Sequence, residues 1–369
     1  MNSIEDNTVG LLNKQLNTVS ALRKLTSFEI EQGNGYFSMR PQMHLLIVKP
    51  FGTIKSSYTH KLEELLGDDV VVRDELTKPA ILGTISKDKT YVPGLPAEIG
   101  GKILVVDEFN NLGEFGLKAL LGVLENQRIN RQLGFAVKEP ESITPNEWTN
   151  LTVSGGSIEG TVNFSCIAYA MFYPKPKVNS LFEENPQSLL GLKSRFTPNF
   201  SCPEHGELMD ALRGEQSFDL RYFGLPVRHV LIKKQAYTQY IESYSDLTKE
   251  LSDKHLENLQ IGFLTRVSSD ILRFAVHEVM EKEVPKSKTL EITDSEVLIQ
   301  QAELWTEPLL KQYLYEEHAG SYNEFVNLFK EHSDKTNKYY AQKLNKSVRQ
   351  IQRWKKKYED EKIERGVIA

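Results

Sequence analysis

Cysteine is almost missing: the chain holds two, Cys166 and Cys202, far apart and without partners at metal-ligand spacing. That excludes a disulfide scaffold and a cysteine-built zinc module, and leaves both thiols as small packing groups. Long apolar runs are missing too, none approaching the roughly 20 residues that cross a bilayer. The opening residues, MNSIEDNTVGLLNKQ, lack the charged-then-apolar order of a secretory signal, so the chain reads as cytoplasmic. Neither an internal repeat nor a low-complexity tract is found. What is present is 40% hydrophobic and 26% charged residues over 369 positions, which excludes wholesale disorder and gives room for two or three domains.

Positive charge is scarce except at one end. Between Lys335 and Lys357 there are nine Lys or Arg and no acid. Eleven basic and four acidic residues from Lys335 to Ala369 give that end +7, so residues 1–334 carry −12 of a chain total of −5. A polyanion would meet the C-terminus first.

Patterns along the chain predict an α/β fold, a mostly parallel sheet flanked by helices. Residues 8–33 show apolar positions at helical spacing and end in Gly-Asn-Gly, predicting one or two helices and then a break. HLLIV from His44 is a buried strand, followed by the loop KPFGTIKSS and the helix-like THKLEELLG; VVVRD, ILGTI and KILVVD are further strands, and EFGLKALLGVLENQ is an amphipathic helix. From Arg128 to Asn163 turn residues and β-formers predict a hairpin insertion, after which VNFSCIAYAMFYP is another core strand. A last strand falls between Gly224 and Leu231, and Gln235 to Glu317 is helical throughout.

The stretch GKILVVDEFNN carries a buried strand into two adjacent carboxylates, Asp107 and Glu108. Nucleotide motors use that pair: the Asp holds the water shell of Mg²⁺ and the Glu deprotonates the attacking water. A solvated helix N-terminus, which also favours acids, is the plainer alternative. Upstream, Lys49 to Ser56 aligns with the phosphate-loop pattern G-x-x-x-x-G-K-[ST], with Gly52, Lys55 and Ser56 in place and departures at Lys49 and Ile54. The expected ligands of ATP are Gly52, Thr53, Lys55, Ser56, Ser57 and Asp107, with Ser56 and Asp107 on Mg²⁺. His44 and His60 flank the loop without metal-ligand spacing and are expected to be structural.

Taken together, PAILGTISKDKTYVPGLPAEIGGKILVVDEFNNLGEFGLKALLGVLENQRINRQLGF resembles the AAA+ motor of the minichromosome-maintenance (MCM) replicative helicases. ENPQSLLGLKSRFTPNF is similar to that family's Leu-Leu-Ser-Arg-Phe element, and GFLTRVSSDILRFAVHEVMEKEV followed by LEITDSEVLIQQAEL to its helical lid. The likeness covers roughly residues 40–310. It implies a P-loop ATPase in which Glu108 and Arg195 are catalytic, Arg195 reaching into a neighbouring subunit's nucleotide. It also implies that Arg266 is the lid sensor on the γ-phosphate, and that copies assemble into a ring such as a hexamer. The insertion takes the place of the family's pore hairpin, where Lys138 could touch a phosphate backbone. This sequence departs from the family near Phe172 and Tyr173, where a polar Asn sensor would stand, and it shows no counterpart of the family's barrel and zinc module.

At the C-terminus, SYNEFVNLFKEH and NKYYAQKLNKSVRQIQRWKKKYEDEKI predict a small all-α, winged helix-turn-helix domain. Ala341, Leu344, Val348, Ile351 and Trp354 would face inward, with Ser347 capping the second helix. Lys346, Arg349, Gln350, Arg353, Lys355, Lys356 and Lys357 would face DNA; a solvated basic helix is the alternative. The expected organisation is a helical segment over 1–40, a nucleotide-binding domain over 41–232 with its insertion at 128–163, a lid over 233–317, and the DNA-binding domain over 321–369. The expected activity is ATP-driven DNA unwinding, translocation or replication initiation, with a chromosome-independent element as the expected setting. The alternative is a catalytically weak DNA-binding scaffold that uses nucleotide only structurally.

Overall fold

The computed structural model describes residues 6–50, 55–109, 112, 114–139, 147–172, 195–200, 220–221, 226–255, 261–282, 287–314, 322–333, 335–344 and 348–364. Its contacts divide the chain into two compact units, Met1–Tyr313 and Leu314–Ala369.

The first unit opens with helix α1 (Asp6–Leu22) and strands β1 (Ser27–Gln32) and β2 (Gly35–Met39). These strands correct the expectation of a wholly helical segment over 1–40. Phe28 and Ile30 are buried while Glu29 and Glu31 are not, a period of two, and Gly33 at φ +53° turns the chain back on itself. Next come β3 (His44–Pro50), α2 (Lys55–Leu66), β4 (Val70–Arg73), α3 (Lys78–Leu82), β5 (Thr84–Ile85), β6 (Tyr91–Val92), α4 (Pro96–Ile99), β7 (Ile103–Val106) and α5 (Glu114–Asn126). The strand expected at ILGTI is also corrected. Thr77 accepts from the Ala80 amide at 3.3 Å and Pro79 sits in the first turn, so Ile81 and Leu82 end a short helix and only Thr84–Ile85 is extended.

The insertion is a three-stranded antiparallel sheet of β8 (Arg128–Gln132), β9 (Thr149–Ser154) and β10 (Ser157–Val162), in the order β8-β10-β9. After it run β11 (Ser165–Phe172), β12 (Thr197–Phe200), β13 (His229–Ile232), α6 (Lys234–His255), α7 (Ile261–Lys282), β14 (Thr289–Ile292) and α8 (Glu296–Leu314). β14 corrects the all-helical reading of 235–317: Leu290 and Ile292 alternate inward, and the strand pairs in parallel with β13.

The main sheet is parallel throughout, five strands in the order β12-β3-β11-β7-β4. By chain order within that sheet this is 5-1-4-3-2, an α/β sheet with helices on its faces. Leu45, Ile47, Ile103, Val105, Ile167 and Tyr169 point into one core with α1, α7 and α8, and Leu46, Val48, Leu104, Val106, Cys166 and Ala168 into another with α5 and the insertion. Strict alternation explains why these strands read as continuous apolar runs: both faces are buried. Cys166 is fully buried, and burial pushes its thiol pKa up, as a packing group requires. A second sheet, β14-β13-β1-β2, joins the first of these cores.

Two features give stability predictions. Gly101 adopts φ +74°, and a Cβ there would come within 2.7 Å of the Trp148 ring, which is also flanked by Lys24 Nζ at 5.8 Å and the Arg228 guanidinium at 5.3 Å. Gly101→Ala should cost about 1–3 kcal/mol, read as a lower urea midpoint. The second feature is a pair of buried histidines. His44 accepts from the Cys166 amide at 3.1 Å, and His277 Nδ1 lies 3.3 Å from Thr18 Oγ1. Burial holds both imidazoles neutral, His44 well below the ordinary range with Arg40 and Arg273 adding to it, and His277 down at about 3. Unfolding lets them take up protons, so their contribution is complete above the ordinary histidine pKa and shrinks as pH falls towards the folded value. Stability should drop by roughly 1.4 kcal/mol per pH unit for each histidine below about pH 6.5, checked by denaturation between pH 7 and 5.

Candidate functional site

The carboxyl-terminal edge of the main sheet gathers the first set of candidates. α2 begins at Lys55, five residues after β3 ends at Pro50, and Asp107 and Glu108 leave the end of β7. β11 lies between those two strands: Val106 pairs with Ala168, and Ala168 with Leu46. Adjacent strands are ~4.8 Å apart, so the end of β7 stands about 10 Å across the edge from the end of β3. The Asp107 amide donates to the Arg73 carbonyl at 3.1 Å, extending the ladder by one bond and fixing the direction of the turn. Phe109 then plugs the core, edge-on to Phe196 at 5.7 Å, while Asp107 and Glu108 stay half-exposed. Asp107 turns Oδ1 away from solvent.

Gly52 and Thr53 lie outside the described residues, as do the side chains of Lys55, Ser56 and Ser57. Phe172 ends β11 on this same edge, opposite Pro50. Among the described residues no group of three His, Cys, Asp or Glu could hold a metal ion alone. A divalent cation at Asp107 would therefore need hydroxyl, phosphate and water oxygens, the coordination Mg²⁺ ordinarily takes. Tyr169, which sequence reasoning passed over, is fully buried near Asp107. Burial pushes its phenol up, Thr59 counters this in part, and Tyr58 and Asp107 add to the rise.

The amino-terminal edge holds the arginines. Arg195 immediately precedes the buried Phe196 and β12; its Nε donates to the Leu121 carbonyl at 3.1 Å and its Nη2 pairs with the Glu125 carboxylate. Behind it, Arg40 donates to the Leu124 and Arg195 carbonyls at 2.6 and 3.2 Å. On α7, Arg273 pairs with Asp270 at 2.9 Å, and Asp270 also accepts from Thr197 at 2.9 Å and Tyr313 at 2.8 Å. Arg266, one turn before Asp270, is half-buried and joins Arg40 and Arg273 in one positive field, which helps to keep the nearby His44 neutral. Arg266 itself makes no hydrogen bond or ion pair among the described residues. It thus lies within electrostatic reach of Arg40, whose Nη2 holds the Arg195 carbonyl.

Lys138 is exposed, but its backbone is tied down: its amide donates to Lys89 at 2.8 Å and its carbonyl accepts from Tyr91 at 3.1 Å. The β9–β10 turn falls at Gly155 and Gly156, so Lys138 is not at the tip of that hairpin.

The second unit contains α9 (Tyr322–Glu331), α10 (Asn337–Lys343) and α11 (Val348–Glu364). Phe325, Tyr340, Ala341, Leu344 and Ile351 form its core, with Phe329, Trp354 and Tyr358 packed against it. No strand is present among its described residues to form the expected wing. Arg349, Gln352, Arg353 and Lys356 are exposed on α11 at spacings of three and four, one face of a helix. The half-buried Lys355 places its ammonium 5.2 Å over the Phe329 ring. Val348 is corrected, being 38% exposed. Lys346 and Ser347 lie outside the described residues, as do the side chains of Gln350 and Lys357.

No family model and no curated protein matches the chain. Its geometry is therefore the guide to function. Arg40 carried no signal in the sequence, whereas Asp270 and Arg273 had one in their helical i,i+3 spacing. Glu125 had one too: it lies in the last turn of the helix that follows the acidic pair.

Proposed function

We propose that the chain is an MCM-like AAA+ ATPase of the P-loop class that binds DNA and couples ATP hydrolysis to unwinding, translocation or replication initiation. The observation that carries this reading is the strand order 5-1-4-3-2, with Asp107-Glu108 ending the third strand and a helix starting at Lys55 behind the first. In an open α/β sheet, ligands sit outside the carboxyl ends of the strands where the connections reverse direction, and here that crevice lies beside β3. A helix N-terminus offers backbone N–H groups to phosphate, so Gly52, Thr53, Lys55, Ser56 and Ser57 would hold the triphosphate.

Asp107 and Ser56 would hold Mg²⁺, which supplies charge neutralisation at the phosphate oxygens when bound. Glu108, half-exposed one residue beyond Asp107, takes a proton from the attacking water. Arg195 and Arg266, both within reach of Arg40, serve a neighbouring copy's nucleotide, so the active assembly is a homo-oligomer and turnover requires it. The exposed face of α11 in a helix-turn-helix unit meets DNA.

A scaffold that uses nucleotide only structurally is the second reading, favoured by Lys49 and Ile54 in the loop. Steady-state phosphate release, measured against protein concentration with and without DNA, separates the two. The motor requires turnover that rises with assembly, and the scaffold requires none at any concentration.

A further inference from the structure

We propose that Arg40 is a positioning residue for Arg195: its buried guanidinium fixes the backbone that carries Arg195 and ties it to α7, so that Arg195 and Arg266 are presented as one unit. This rests on the reading of Arg195 as a group that acts across an interface between copies.

Arg40 joins three elements. Nη1 donates to the Leu124 carbonyl at 2.6 Å, Nη2 to the Arg195 carbonyl at 3.2 Å, and the carbonyl of Arg40 accepts from Arg273 Nη2 at 2.8 Å. Leu124 lies in the last turn of α5, where carbonyls lack partners within the helix and a cation is favoured. The same turn carries Glu125, which holds the Arg195 side chain. Arg40 and Arg195 therefore grip one helix end from two directions. The connections also close on themselves. Thr197, two residues beyond Arg195, donates to Asp270; Asp270 pairs with Arg273; and Arg273 returns to Arg40. Arg266 lies on the same stripe of α7 as Asp270 and Arg273, at spacings of four and three.

The chemistry at position 40 is specific. Among the described residues Arg40 makes no ion pair, and burial, with Arg273 and Arg266 nearby, pulls its pKa down to about 9. An apolar side chain of similar volume would avoid that desolvation. What the guanidinium adds is a rigid fork that sets two carbonyls at a fixed separation, which a lysine cannot reproduce.

The test uses the full chain. Arg40→Met should lower ATP turnover about 10- to 100-fold while nucleotide affinity stays within about twofold, because a misplaced group costs rate and not ground-state binding. Mixing Arg40→Met with Glu108→Gln should restore part of the turnover, since some interfaces then pair an intact Arg195 with an intact Glu108. Mixing it with Arg195→Ala should restore none, both defects lying on the same face. Arg40→Lys should fall between wild type and Arg40→Met. A general loss of fold would be rescued by neither partner, and that outcome overturns the proposal, as does equal rescue by both.

Amide hydrogen exchange gives a readout independent of activity: Arg40→Met should speed exchange in residues 121–125 and 196–200 and leave β4 and β7 as they were. Unchanged exchange at 196–200 overturns the positioning role even if wild type proves to have no turnover, a result that would remove the ATPase reading by itself.

Discussion

Glu108→Gln is expected to retain Mg²⁺-ATP and to lose its hydrolysis, with turnover at least about 100-fold below wild type, the usual contribution of a positioned general base. In the proposed reading the two roles fall on adjacent residues. Asp107 is held to the sheet by the bond from its amide to Arg73 and turns Oδ1 away from solvent; in the proposed reading this carboxylate holds the cation. Glu108 follows on the open side of the edge, half-exposed, where water arrives. Glutamine preserves the size and hydrogen-bonding reach of the side chain and removes only its capacity to accept a proton. Equilibrium binding of a fluorescent ATP analogue and phosphate release on the same preparation check it. Absence of nucleotide binding by the wild-type chain would sink the assignment of the whole edge.

DNA affinity is expected to reside in the second unit, and deleting residues 315–369 should weaken binding at least about 100-fold at low salt. The reasoning is electrostatic. Nine cations without an acid between Lys335 and Lys357 can displace several phosphate counterions, whereas residues 1–334 carry −12 and repel a polyanion except at a local groove. Arg349→Ala and Arg353→Ala should each reduce the slope of log affinity against log salt by about 1, the loss of one phosphate contact. Lys355→Ala should act differently, because its ammonium lies over Phe329: thermal stability of the unit should fall with little change of slope. A chain lacking the unit that binds duplex and single strands as tightly, with the same slope, would move the interface to the first unit and the insertion around Lys138.

Much of this arrangement was legible in the sequence where periodicity and burial agree. KILVVD and VVVRD read as buried strands because both of their faces are covered, and EFGLKALLGVLENQ read as a helix because only one of its faces is. The acidic pair was legible because two adjacent carboxylates after such a strand are chemically conspicuous. SFEIEQ was lost because it follows a true helix without an intervening proline, so two periods overlap. LEI of β14 was lost because three residues between long helices carry too little pattern to be counted. Arg40 was hidden for a different reason. The hydrogen bonds around a buried ion pair are properties of the assembled fold, here joining residues 233 positions apart in the chain. The face of α11 was half legible: a basic run gives the helix its charge, but only packing decides that Lys355 lies over Phe329.

The pairing of β1 with β13 sets an order of events during synthesis. Ser27 lies opposite His229, and β13 is in turn completed by β14, so β1 waits long for its second neighbour. At ~5–20 residues per second a ribosome takes roughly 10–40 s to cover that interval. Meanwhile β1 and β2 stand as a hairpin with Tyr36 and Phe37 open to the surroundings, and both aromatics remain exposed in the finished sheet. An isolated hairpin is marginal in water, so a nascent chain stalled before residue 229 leaves the β13-facing edge of β1 unpaired, with two exposed aromatic rings on the neighbouring strand. That edge is where a holding chaperone would bind, and where chains produced too quickly would join one another.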